Sequence, residues 1–398
     1  MPQIQSAAWF IARYSVELWR QVPWIVLIAW LTGCAPSTAQ AQAVRSPTPA
    51  PTNGGLSVVT VAKGLEHPWS LAFLPDGRML VTERPGRLRI VSSDGRVSEP
   101  IAGIPRVYAS GQGGLLDVAL SPTFDNDRLI YLSFSEYGEG GAGTAVARGQ
   151  LGEQTLQNLQ LIWRQQPKVG GSNHFGSRIV FRRDGTLFVT LGERFNHSDK
   201  AQDLSTTLGK IVRINPDGST PSDNPFVNSA GVRPEIWSYG HRNVQAAAVD
   251  PQTGQLWTVE HGARGGDELN YPEPGKNYGW PVISYGRHYS FLPIGEGTTK
   301  KGMEQPVYYW DPVIAPSGMI FYTGKMFADW KSNILVGSLT PGLLVRLMMK
   351  EGKVTQEERY LGDLGERIRD VRQASDGSLY LLTDARDGRI FRLTPNKR

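Results

Sequence analysis

Four short polar stretches carry the side chains best suited to chemistry in this 398-residue chain. Ser172-Asn173-His174-Phe175-Gly176-Ser177 sets one of only six histidines among small residues, just ahead of the apolar run Ile179 to Phe181. Gly111-Gln112-Gly113-Gly114 precedes Leu115-Leu116-Asp117, and Tyr239-Gly240-His241-Arg242-Asn243 precedes a further apolar run. Glu366-Arg367-Ile368-Arg369-Asp370 precedes the last. A neutral imidazole accepts protons near physiological pH, an amide both donates and accepts, and arginines make forked contacts to carboxylates. Taken singly, each stretch has a plain explanation: a turn, or solvated or paired arginines. Gathered round one pocket, a base, an amide and three cations suit a polyanionic or multi-carboxylate ligand. Arg367 and Arg369 alternate, so on a strand both guanidinium groups lie on one face.

A second cluster runs from Glu260-His261-Gly262-Ala263-Arg264-Gly265-Gly266-Asp267-Glu268 to Asn277-Tyr278-Gly279-Trp280-Pro281. A glycine-rich acidic loop offers backbone carbonyls and carboxylates, the hard oxygen ligands that Ca²⁺ prefers. The spacing is not that of an EF-hand, and an acidic loop without metal is the alternative.

The elements that must position these groups repeat. An apolar strand, a turn built on Asp, Gly or Pro, and a second β-rich strand recur six times from Leu56 onward. The copies are Leu71 to Gly77 with Met79 to Glu83, Val118 to Pro122 with Leu129 to Phe134, and Ile179 to Gly185 with Leu187 to Leu191. They continue with Ala247 to Gly254 and Leu256 to Glu260, a looser Met319 to Gly324 with Ile334 to Leu339, and Val371 to Gly377 with Leu379 to Thr383. Strand–turn–strand units at this spacing fit the blades of a propeller. A six-bladed all-β propeller over 56–398 is therefore expected, closed by pairing Leu56–Ala62 with Arg389–Leu393; a large β-sandwich is the rival. First strands line a propeller's channel, so the pre-strand stretches share one mouth, with a solvent-reachable His174.

Composition agrees. The chain holds 45 Gly and 27 Pro, and helical periodicity is scarce. A net charge of +5 without basic blocks gives no sign of nucleic-acid binding. Arg13 and Arg20 precede the apolar run Val22 to Leu31, which is too short to span a bilayer. Leu31-Thr32-Gly33-Cys34 resembles the lipobox of bacterial lipoproteins and holds the only cysteine, so no disulfide forms within the chain. The expected organisation is an export segment over 1–33, a lipid anchor at Cys34 and a flexible Pro/Ala/Thr-rich tether over 34–55, reaching roughly 25 Å. Ordinary cleavage after Ala39-Gln40-Ala41 or Ala41-Gln42-Ala43 is the competing route. Both place the protein on the periplasmic side.

As an ordered set, these motifs resemble the pyrroloquinoline quinone (PQQ) dependent sugar dehydrogenases of the glucose/sorbosone dehydrogenase family. The likeness is to the periplasmic aldose sugar dehydrogenases and soluble quinoprotein glucose dehydrogenases, and it runs from about Leu56 to the C-terminus. The resemblance implies a six-bladed propeller that oxidises aldoses at C1 to the lactone by hydride transfer to PQQ, then passes electrons to an unknown acceptor. It implies His174 as general base, Glu193 orienting it, and Arg242 beside the reactive quinone oxygen. Gln112, Asn243, Tyr289, Ser338, Leu339, Thr340, Arg367, Ile368 and Arg369 would join Arg242 around the cofactor. The backbone of Gly262 and Ala263 would coordinate the Ca²⁺ that holds PQQ, with Glu268 and Tyr278 at a second, structural Ca²⁺. Two positions depart from the pattern. Ala263 stands where some relatives have proline, and Thr340 where relatives place a PQQ-contacting lysine. Sugar preference would lie in inserted loops such as 286–302, and the chain is compatible with a monomer or a dimer.

Two other functions compete with this one. A Ca²⁺-dependent lactonase needs carboxylates and Asn from several blades on one axial ion, whereas the pre-strand positions here carry Gln, His and Arg. A non-catalytic envelope module needs no base at all.

If Cys34 is the anchor, Cys34→Ser moves the protein from the membrane to the soluble periplasmic fraction. A mature N-terminus near Ala43 or Val44 would show ordinary cleavage instead.

Overall fold

The computed structural model describes residues 43–52 and 54–396. The expected export segment and Cys34 lie outside the described residues. Six antiparallel sheets account for nearly all the regular structure, and they are the blades of a six-bladed propeller. Their innermost strands are Pro68–Phe73, Leu115–Leu120, Ile179–Phe181, Val244–Val249, Pro316–Phe321 and Ile368–Gln373, which define blades 1 to 6. Each expected repeat is the inner hairpin of one blade. The loosest copy, in blade 5, has a 3₁₀ turn at Ala328–Trp330 between its two strands. Apolar residues of facing sheets, such as Leu115 with Leu88 and Met319 with Val259, fill the spaces between blades.

Closure is as the sequence predicts. Leu56–Leu65 adds the outermost strand of blade 6, pairing Val58 with Leu393 and Thr60 with Phe391. The ring is thereby shut by strand pairing between the two ends of the propeller, which leaves no open seam.

The segment expected to run free as a tether does not do so over its described part. Val44–Arg45 pairs in parallel with Tyr308–Tyr309 on the rim of blade 4, and the Thr52 amide donates to the Arg359 carbonyl of blade 5 at 2.8 Å. Between them Ser46 is buried, its hydroxyl 2.6 Å from Glu357 Oε2. The Tyr308 hydroxyl (2.7 Å) and Trp310 Nε1 (3.0 Å) donate to the same oxygen. Polar composition argues for disorder only where no partner exists; here the partner is a buried carboxylate more than 300 residues away.

On the channel axis, Arg178 precedes the inner strand of blade 3 and is 2% exposed. Its guanidinium lies 3.0 Å from Asp117 of blade 2 and 3.0 Å from Asp370 of blade 6. Nε donates to the Gln245 carbonyl of blade 4 at 3.0 Å, and the Trp69 ring of blade 1 stacks at 4.1 Å. The carboxylates extend the network. Asp117 accepts from the Ile179 amide at 2.8 Å and Asp370 from the Leu71 amide at 3.1 Å.

Removing one partner from a buried ionic network leaves charge uncompensated and costs about 3–5 kcal/mol. Arg178→Met should therefore lower the denaturant midpoint sharply, and adding Asp117→Asn should recover part of the loss. A single variant as stable as wild type would show that the axial network does not hold the blades.

Candidate active site

All the inner strands run in one direction, so residues just before them gather at one end of the channel. Residues that end the second strands gather at the same end. This brings His174, Asn243, Arg367 and Arg369 to one mouth with Glu193, Glu260, Thr340 and Asp384.

His174 is held closely. Gln112 Oε1 accepts from its backbone amide at 2.9 Å, and its φ of 54° is left-handed. The small neighbours explain themselves as close approaches. Gly176, at φ 64°, would place a Cβ 2.5 Å from the Leu191 carbonyl carbon, and a Cβ at Gly192 would lie 2.3 Å from the His174 oxygen. Glycine is what lets the second strand end against the histidine loop. Glu193 then brings Oε1 to 3.1 Å from His174 Nδ1, off the line of an ideal hydrogen bond. Its other oxygen accepts from the Phe195 amide.

The imidazole is not solvent-reachable as the sequence suggests: His174 is 4% exposed. The loop folds back under Phe195, whose ring meets the imidazole edge-on at 5.1 Å. Burial is the largest influence on its pKa and lowers it below the ordinary value, with Arg242 adding to the effect and Glu193 opposing it.

Arg242 stands across from this pair. Its amide donates to Glu260 Oε2 at 2.7 Å, and its Nη1 donates to the His261 carbonyl at 3.2 Å and to the Gly262 carbonyl. Nη2 lies 3.5 Å from the Tyr289 hydroxyl, and the guanidinium lies 5.2 Å from the Trp280 ring centroid. Tyr289 itself is 61% exposed at the rim. Asn243 is fully buried; Oδ1 accepts from the Gly176 amide at 3.1 Å and Nδ2 has no partner.

Arg367 and Arg369 do share a face, and both reach Asp384 Oδ2, at 3.4 and 2.6 Å. Asp384 is the residue sequence reasoning missed. Burial pushes its carboxyl up, but Arg369, the His67 hydrogen bond and Arg84 outweigh this and hold it well below the usual range. Its signal was available: an acid stands at the end of the second strand in blades 1 and 4, Glu83 and Glu260, and just beyond it in blades 3 and 6, Glu193 and Asp384.

The remaining candidates divide. Thr340 is exposed, with its hydroxyl 3.4 Å from Arg367 Nη1. Leu339 supplies a carbonyl to the same guanidinium at 3.2 Å. The Ser338 hydroxyl is committed to the Ile314 carbonyl at 2.6 Å, and the Ile368 side chain lies in the core between blades 5 and 6. Neither side chain turns to the mouth.

In the acidic loop, Glu268 lies in a tight cleft with Glu260 and Tyr278. Burial, and then the Glu260 charge, push its carboxyl well above the ordinary carboxylate range. Two crowded buried carboxylates are a place where a cation lowers the energy. The Tyr278 hydroxyl, however, donates to the Tyr271 carbonyl and accepts from the Glu273 amide. The Gly262 carbonyl already accepts from Arg242, which leaves it one lone pair for a metal, and Ala263 pairs locally with Gly265. Among the described residues no group of three or more His, Cys, Asp and Glu is placed to hold a metal.

The donors left unpaired test the multi-carboxylate expectation. Arg84 Nε, Asn243 Nδ2, Trp280 Nε1 and Arg369 Nε are buried without hydrogen-bond partners. Asn243 and Arg369 are already placed round this mouth, Arg84 lies 4.0 Å from Asp384, and the Trp280 ring lies 5.2 Å from the Arg242 guanidinium. Unsatisfied buried donors are costly, and carboxylate oxygens are their natural complement. The residues fit PQQ.

Comparison with known proteins gives the same answer. Residues 65–392 match the family described as Glucose / Sorbosone dehydrogenase. The aldose sugar dehydrogenase YliI of Escherichia coli is 46% identical over 346 residues, covering 85% of this chain and 93% of that protein. A glucose dehydrogenase crystal structure superposes with TM-score 0.83 at 52% identity, covering 84% of this chain and 99% of that one. The PQQ-bound aldose sugar dehydrogenase of Streptomyces coelicolor gives 0.72 at 31% identity, covering 87% and 99%. The chain belongs to the glucose/sorbosone dehydrogenase family.

Proposed function

We propose that this protein oxidises aldoses at C1 to the lactone, with PQQ as electron acceptor and His174 as the general base. The observation that carries this is the buried His174–Glu193 pair, at 3.1 Å, facing a mouth lined with unpaired donors. PQQ, when bound, supplies an ortho-quinone that takes up two electrons, together with three carboxylates for the cation-rich cradle. Arg367, Arg369, Asn243 and Arg242 would hold it. Gly262 and Ala263 would offer carbonyls to its Ca²⁺, and Glu268 and Tyr278 a second Ca²⁺ site.

The protein's own part follows from the geometry. Glu193 engages Nδ1, which leaves Nε2 to take the proton of the sugar's C1 hydroxyl, and the carboxylate then stabilises the imidazolium. Arg242 offers a fixed positive charge where negative charge develops, an effect often worth several kcal/mol in a water-poor site. The burial that keeps His174 neutral keeps it competent as a base.

The rivals are weaker. The channel axis, where a lactonase metal would sit, is held by Arg178 between Asp117 and Asp370. A binding module has no use for a buried base pair. Export with a lipid anchor at Cys34 belongs to the same proposal. Purified protein given PQQ and Ca²⁺ and then an aldose should bleach the quinone absorbance; no reduction by any aldose of a broad panel would refute the assignment.

His174→Gln should fold, bind PQQ and lose roughly 10²–10⁴ in turnover, the usual share of a general base. The wild-type rate should rise with pH through an apparent value below the free imidazole value of about 6.5. The sign follows because burial depresses the pKa and only the neutral ring accepts a proton. Glu193→Gln removes the charge that raises it, so the limb should move lower still. An unmoved limb in a folded variant would show that Glu193 does not act on the base.

Thr340→Lys should tighten PQQ binding without changing which sugars react. A charge-assisted contact adds about 1.5–3 kcal/mol; repulsion from Arg367 takes part of it back, leaving roughly tenfold in the titration midpoint. An unchanged midpoint would mean that Arg367 already fills the role.

A further inference from the structure

Arg194 follows Glu193 in the chain and is fully buried. Its guanidinium bonds backbone instead of carboxylate. Nε donates to the Asn173 carbonyl at 2.9 Å, Nη2 to Gly171 at 2.7 Å, and Nη1 to Ala142 of blade 2. Its plane lies 3.7 Å from the Phe175 ring centroid. Asn173 and Phe175 are the two neighbours of His174, so one side chain grips the base loop on both sides. Arg194 and Phe195 have φ of 66° and 67°, a conformation that residues other than glycine keep only when their surroundings hold it. Three successive residues therefore address the loop: Glu193 meets the imidazole, Arg194 its flanking backbone, and Phe195 its edge.

We propose that Arg194 is a positioning residue for His174, fixing through Asn173 and Phe175 the backbone from which the imidazole meets Glu193. This rests on His174 being the base. Three carbonyls and a ring face require a planar fork with five donors, which lysine lacks. Burial pushes Arg194 down only to about 10, so it stays charged at neutral pH. That charge also bears on the base. The charged or titratable groups facing His174 are Glu193, which raises its pKa, and Arg242 and Arg194, which lower it. His261 is also near; burial pushes it down to about 3, so it is neutral.

Arg194→Met keeps a long side chain over Phe175 and removes both charge and fork. Turnover with saturating PQQ and Ca²⁺ should fall by about 10–100-fold, the scale of a sub-ångström to ångström misplacement of a reacting group. The PQQ titration midpoint should stay unchanged, because Arg194 bonds only backbone. In the apo-protein, the His174 ring resonance, identified by its loss in His174→Gln, should titrate at higher pH than in wild type. A folded Arg194→Met whose His174 titration does not move, or whose turnover is near normal, overturns the proposal. If that variant fails to fold, Arg194→Gln, which keeps one amide donor, is read by the same two measurements. His174→Gln run in parallel separates the two ideas. If it retains turnover, the base assignment fails and this proposal with it; if it is inactive while Arg194→Met is normal, only the positioning role fails.

Discussion

A single guanidinium on the channel axis is the contact on which the remaining geometry depends. Arg178 touches side chains or backbone of blades 1, 2, 3, 4 and 6, so the inner strands cannot slide or tilt independently. A buried arginine between two buried aspartates has little net stabilising value over a hydrophobic filling. What it supplies is registration. Asp117 and Asp370 each accept an amide from the next blade's inner strand as well. The strands that carry His174 and Arg369 into the mouth are thus indexed to one point.

At the mouth, the acid at or just beyond the end of a blade's second strand does a comparable job four times over. Glu83 accepts from Arg87 and Arg89 at 2.8 Å each. Glu193 faces His174, and Glu260 accepts from His241 and the Arg242 amide at 2.9 and 2.7 Å. Asp384 takes Arg369 and His67 at 2.6 and 3.0 Å. One structural position therefore orients whichever basic group its blade offers. Three of the four acids hold an imidazole, His174, His241 or His67, and the proposed base is the one in blade 3. Blade 5 has the uncharged Thr340 near this position.

How much of this was legible depends on whether the signal is local. Strand, turn and strand recur within about 15 residues per hairpin, a scale that β-hairpin geometry imprints on sequence, so the six blades and the closing pair could be read. The alternation of Arg367 and Arg369 could also be read, because side-chain period on a strand is a local property. The recurring acid could place Asp384 at the mouth but could not pair it with them, since hydrogen bonds across a blade leave no spacing rule. The Ser46 strap was invisible for the same reason: its partner Glu357 lies on blade 5, and nothing in Val44 to Thr52 announces it. His174 was found by its odd neighbours, but its burial was not. The small residues that suggested exposure are there so that Leu191 and Gly192 can pack directly against its backbone.

The charge balance of the mouth ties ligand binding to basicity. Without an anion, the imidazole sits in a buried space where Arg242 and Arg194 depress its pKa and Glu193 alone among the facing groups raises it. Among the mouth residues and their partners the unpaired donors are nitrogens, Asn243 Nδ2, Arg369 Nε, Arg84 Nε and Trp280 Nε1. A polycarboxylate entering this space satisfies those donors and, by the same Coulombic sign that makes the arginines depress His174, makes the imidazole a stronger base. By linkage, what raises the proton affinity of His174 when the anion binds must equally raise the affinity for the anion when His174 is protonated. If His174 is the base, as proposed, the imidazolium formed when the sugar gives up its proton holds the anionic ligand more tightly at the moment when its position matters most.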